Sequence, residues 1–242
     1  AYTVKKIGTR AFISKTFVTS VTLPAGITDI DSYSFYGCQA LSSINIPTGV
    51  TSIGFMAFHS CSSLTEAEIP ESVTSIGEQV FVNCTSLKRV ILPDQLTSIP
   101  ASMFQGCTAL ESVNLPSKLT TIGNSAFANT AIGGDLTLPS GITAIGNNAF
   151  QNCDHLYSVT LPAGITSLGT QVFYRCDSLQ SIVFPKSMAT IPQQTCAYCP
   201  QLKSVTWPEN VENIGASAFN ECGFEGEIDL PATLKTIGAN AF

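Results

Sequence analysis

The chain has 242 residues, with 11 Lys and Arg against 17 Asp and Glu, for a net charge of −6; no basic run exceeds Lys5-Lys6, which argues against a nucleic-acid footprint. Hydrophobic residues reach 44% and charged residues only 12%, yet no apolar run approaches the roughly 18 residues of a membrane span. Ala1-Tyr2-Thr3 carries no signal-peptide pattern, which leaves the compartment open, since a mature secreted chain would read the same.

From Val4 onward one 23-residue unit recurs in register, opening at Val4, Ile27, Val50, Val73, Leu96, Leu119, Ile142, Ile165, Met188, Val211 and Leu234. Ten whole units occupy 4–233, and an eleventh stops at Phe242. An unbroken period of this size predicts an α/β-type repeat solenoid, a single elongated domain over 1–242 whose coils touch mainly their neighbours.

Each unit begins with a short strand, as in Val73-Thr74-Ser75-Ile76. Gly77 follows, with counterparts at 8, 54, 123, 146, 169, 215 and 238; Asp31, Pro100 and Pro192 replace it elsewhere. Gly, Asp and Pro all suit a helix start, so a short helical turn is expected over Glu78–Cys84. Phe81 and Cys84 lie three apart there and can both face inward. The Phe recurs at 12, 35, 58, 104, 127, 150, 173, 219 and 242, with Cys196 its sole replacement, and predicts a column of stacked rings. A second strand follows, as in Leu87–Leu92: Val90 and Leu92 point in, Arg89 and Ile91 out. The Pro that ends it occurs in all ten whole units and cannot extend a hydrogen-bonded ladder.

Leu110-Glu111-Ser112-Val113-Asn114-Leu115-Pro116 resembles the leucine-rich repeat signature, and the units Val50–Leu64 and Val73–Leu87 resemble the BspA-like subfamily of those repeats. The resemblance covers essentially the whole chain. It implies a right-handed curved solenoid with a parallel sheet on its concave side. It further implies a bacterial cell-surface or secreted protein that adheres to host proteins or other cells. Three units depart from the pattern: those opening at Val4, Leu119 and Val211 carry a large apolar residue one place early, at Phe17, Ile132 and Phe224. The first two also replace the Cys, with Lys15 and Thr130. A different turn is expected in these coils.

Eight cysteines, at 38, 61, 84, 107, 153, 176, 199 and 222, share one repeat position. Their side chains would point in parallel, which suits a ladder of buried thiols better than disulfides. Cys196-Ala197-Tyr198-Cys199 reads as a core substitution beside a ladder position; Cys in place of Phe should leave space near Tyr198 or Trp207. His59 and His155, four units apart, are expected at the surface and out of reach of each other, so no catalytic pair forms. No cofactor or metal motif is present, and the chain is expected not to be an enzyme.

The outward positions of the longer strand are mostly Ser, Thr and Asn. Glu66, Glu68, Arg89 and Ile91 break that trend as a mixed patch, and Glu227 with Asp229 as an acidic one; Asp135 is a further outward carboxylate. These seven residues are the candidate binding residues for a protein or cell-surface glycan. The competing role is a rigid structural spacer within a larger surface protein. Scattered Thr22, Thr137, Thr160 and Thr206 argue against a regular ice-binding array. Tyr36, Tyr157, Tyr174 and Tyr198 are expected on turns, and Trp207 in the core. The chain is expected as a monomer, with end-to-end stacking through the open C-terminal coil as the route to any dimer.

Overall fold

The computed structural model describes residues 3–242; Ala1 and Tyr2, where the reading of no signal peptide begins, lie outside the described residues. Every strand pair is parallel and, except at Gly133 and Gly134, steps by one repeat: Lys6 pairs with Asp29, Ser20 with Ser43, Glu66 with Arg89, and Ser181 with Ser204. Both predicted strands form. The longer-strand ladder runs from Ser20–Thr22 to Ser204–Thr206, and a ladder of two-residue strands runs from Lys6–Ile7 to Thr236–Ile237.

The helical turn does not form; the described residues contain no helix. The backbone donors explain why. Within residues 77–84, Val82 and Cys84 donate to Gln79 and Phe81 of their own coil. Gln79, Phe81 and Asn83 instead donate to Ala101, Met103 and Gln105 of the next coil, at 2.9–3.0 Å. Past its first four residues an α-helix directs each N–H to the carbonyl four residues back; Val82 and Cys84 reach only three back, and Asn83 bonds outside the coil. Here alternate donors leave the coil, and the segment becomes stacked turns. Two residues per coil take left-handed φ to make this possible, as at Gln79 (60°) and Asn83 (58°). Such residues cost roughly 1–3 kcal/mol each unless the surroundings hold them; the bonds to the next coil do so.

Gly77 does not start a helix either. A Cβ there would lie 2.5 Å from the Phe55 backbone nitrogen of the preceding coil. Gly is present because the backbones approach closely, and its N–H donates to the Ile53 carbonyl at 2.8 Å. Pro100 and Pro192 occupy the same slot with no N–H to give. The short-strand ladder breaks at both: Ser75–Ile76 does not pair with Ser98–Ile99, nor Ser167–Leu168 with Thr190–Ile191.

The Phe column forms as expected. Phe35 through Phe173 are at most 1% exposed, and neighbouring rings stack 5.2–5.8 Å apart. Cys196 interrupts it. Phe184 and Trp207 meet Phe219 of the following coil edge-on, at 6.3 and 5.3 Å. Both occupy the slot before Pro that is aliphatic in the other whole units. All nine cysteines are free, eight buried and Cys222 half-buried. They are more than small hydrophobes: Cys61, Cys84, Cys107 and Cys153 each donate S–H to the Phe carbonyl of the coil before, at 3.0–3.2 Å. Of the early apolar residues, Ile132 is buried, Phe224 half-buried, and Phe17 is 78% exposed.

Candidate recognition face

Strand alternation places the candidate residues. Ala67 and Val90 are 4% and 1% exposed, so their neighbours Glu66, Glu68, Arg89 and Ile91 must project from the other side. The register sets Glu66 opposite Arg89 and Glu68 opposite Ile91. Arg89 Nη2 bonds Glu66 Oε2 at 2.9 Å with both side chains more than half exposed, a pair that contributes about 0–1 kcal/mol to stability. These four residues share one cleft of about 620 Å³ with Ser20, Thr22, Ser43 and Asn45. The ladder is unpaired between Ser43–Asn45 and Glu66–Glu68, and the cleft straddles that break.

Asp135 stands apart, in a second recess where Ser112–Val113 fails to pair with Gly133–Thr137. Its carboxylate accepts the Ser158 hydroxyl at 2.6 Å. Glu227 and Asp229 are exposed but do not sit on a strand, and the nearby ion pair belongs to Lys203 and Glu225 at 2.7 Å. The expected outward strand positions at that end are therefore absent.

Two of the other candidates differ from their sequence reading, whereas Tyr36, Tyr174 and Tyr198 lie on turns as expected. Tyr157 lies within the strand His155–Thr160 and is 52% exposed, not on a turn. His59 is half-buried: its ring stacks on Tyr36 at 4.7 Å, Nδ1 meets the Ser60 hydroxyl at 2.8 Å, and burial lowers its pKa. Tyr33, edge-on to Phe55 at 5.5 Å and beneath Arg10, extends this aromatic cluster on the turn side. Nothing in the repeat pattern singled it out, because its members sit at positions where the units vary freely. Arg175 lies over both Tyr174 and Tyr198 at 5.4 and 5.5 Å. Cys196 and Cys199 are both buried, and burial pushes both thiols up, the opposite of what thiolate chemistry needs.

Among the described residues no helix is long and apolar enough to cross a membrane. Comparison with curated proteins gives no match. Among solved structures, a leucine-rich repeat protein from Bacteroides ovatus is 27% identical, with a TM-score of 0.70, over 100% of this chain and 80% of that one. A leucine-rich cell surface protein from Faecalibacterium prausnitzii is 31% identical, with a TM-score of 0.56, over 90% and 74%. One from Eubacterium ventriosum, at 21% identity and a TM-score of 0.51 over 93% and 82%, shares the fold. The BspA type leucine-rich repeat region, in six copies, matches residues 5–133 and 134–242, and the chain belongs to that family of repeat proteins, which serve as interaction or structural modules.

Proposed function

We propose that residues 1–242 act as one non-enzymatic recognition module at the cell surface or in secretion, adhering to a host protein, another cell or a surface glycan. The observation that carries this reading is the cleft of Glu66, Glu68, Arg89 and Ile91. It sets an acid, a base and an apolar side chain together on a face whose outward strand positions are mostly Ser, Thr and Asn. Such a face offers a partner both charge complementarity and a buried anchor. The likeness to a cell surface protein from Faecalibacterium prausnitzii supports the location.

A spacer is the second reading. It is favoured by the Phe column, unbroken from Phe12 to Phe173, and by the coil-to-coil hydrogen bonds of the turns, which stiffen the stack. The two differ in one experiment. The purified chain is tested on immobilised matrix proteins and glycans beside a variant carrying Glu66→Ser, Glu68→Asn, Arg89→Ser and Ile91→Thr. Saturable binding that the folded variant loses supports recognition; absence of binding across the panel favours the spacer.

A further inference from the structure

The recess beside Asp135 differs from the sealed coils around it. Val90 and Leu92 are each 1% exposed, and Val159 is 1%. Val113, Leu115 and Leu136, at equivalent inward positions, are only half-buried. The cause is local. Thr130 replaces the ladder Cys and turns its hydroxyl onto the Phe127 carbonyl of its own coil, at 2.9 Å. Ile132 takes the buried place one residue early. Gly134, at φ 74°, then shifts the register before Asp135. Pairing to Ser112–Val113 is lost, and a cleft of about 580 Å³ opens down to the Phe127 and Phe150 rings.

The mouth of this cleft is acidic. Glu111 and Asp135 are both exposed on it, and no Lys, Arg or His lines it. Neither carboxylate has an ion-pair partner among the described residues. The two strand edges across the gap are also unpaired with each other.

We propose that this cleft anchors an extended segment of a partner protein in which a large apolar side chain stands next to Lys or Arg. This rests on the recognition reading above and gives it a second contact point. The apolar side chain would cover Val113, Leu115 and Leu136, removing exposed core from water. The flanking cation would face Glu111 and Asp135, and the free strand edges would take main-chain hydrogen bonds, as in strand addition.

The probe is a fluorescein-labelled Ser-Lys-Phe-Lys-Ser peptide, titrated by fluorescence polarisation against the intact chain. Ser-Glu-Phe-Glu-Ser and Ser-Lys-Ser-Lys-Ser are the controls. The basic aromatic peptide should saturate, with each control at least about tenfold weaker. Glu111→Gln with Asp135→Asn keeps both side chains polar and surface-placed, and should weaken the first peptide severalfold. Val113→Thr should do the same by making the floor polar. Equal binding of all three peptides, affinity unchanged in both variants, or no saturation by about 1 mM would overturn the proposal. If the peptide fails while partner binding is still lost in the Glu66, Glu68, Arg89 and Ile91 variant, the cleft is wrong and the recognition reading stands.

Discussion

Phe104→Ala tests the column that holds the stack together. Phe104 is fully buried, with Phe81 at 5.8 Å and Phe127 at 5.4 Å on either side. Truncation removes its burial and leaves a cavity, which costs about 3–5 kcal/mol for a Phe. It also ends two ring contacts, each about 0.5–1.5 kcal/mol beyond burial. The loss should therefore sit in the upper half of that range. Phe12→Ala is the internal control: Phe12 is half-buried and, among the described residues, stacks on Phe35 alone, at 4.9 Å. Urea melts followed by far-UV circular dichroism give both values. Because a solenoid's stability is a sum of coil and neighbour terms, the loss should appear as an earlier or split transition. A cost for Phe104→Ala below about 1 kcal/mol, or one equal to that of Phe12→Ala, would refute the inward stack.

Gly77→Ala should cost about 1–3 kcal/mol, because the added methyl carbon meets the Phe55 backbone. Gly8→Ala, whose Cβ would meet nothing within 4 Å, should be close to neutral; matching melts for the two would remove the close-approach argument. Burial pushes the thiols of Cys107, Cys153 and Cys222 up to about 12, above the roughly 8.5 of an unfolded thiol. The unfolded chain ionises first, so their contribution is full below about pH 8 and falls from there towards pH 12, by about 1.4 kcal/mol per pH unit per thiol. Urea midpoints under reducing conditions that stay level up to pH 10.5 would contradict this, a pH about two units above the unfolded thiol. Amide exchange reads the ladder breaks: Thr120 and Thr143 donate to the preceding coil at 2.8 Å, whereas the matching bond from Thr97 to Thr74 is missing beside Pro100. Thr97 should exchange faster than either, and equal protection would mean that the ladder is continuous.

The architecture was legible because it depends on local repetition. Apolar residues at fixed offsets, Phe every unit and Pro after each strand carry the period, both strands and the core. The turn was misread because Phe81 and Cys84 at a spacing of three look the same on a helix and on stacked turns. The deciding bonds run to Ala101, Met103 and Gln105, residues that local spacing cannot connect to it. One signal was present: Asn83, Gly106, Asn129 and Asn152 occupy a slot that takes left-handed φ, which Asn and Gly tolerate best. The Glu66–Arg89 contact could be read because the partners are one repeat apart. Glu227 and Asp229 could not be placed correctly, since the variant coil containing Phe224 abandons its strand. The cleft beside Asp135 was equally hidden: it arises from a lost pairing, marked in the sequence by Thr130, Ile132 and Gly133-Gly134.

The measurement that bears most directly on the recognition claim is a pair of dissociation constants. Native chain and the Glu66→Ser, Glu68→Asn, Arg89→Ser, Ile91→Thr variant are compared by surface plasmon resonance against a partner captured from the panel. Urea midpoints are measured in parallel. Recognition through this face predicts binding at least about tenfold weaker in the variant, with the midpoint unchanged. Equal dissociation constants for two equally stable chains would contradict it and remove the cleft from the binding surface.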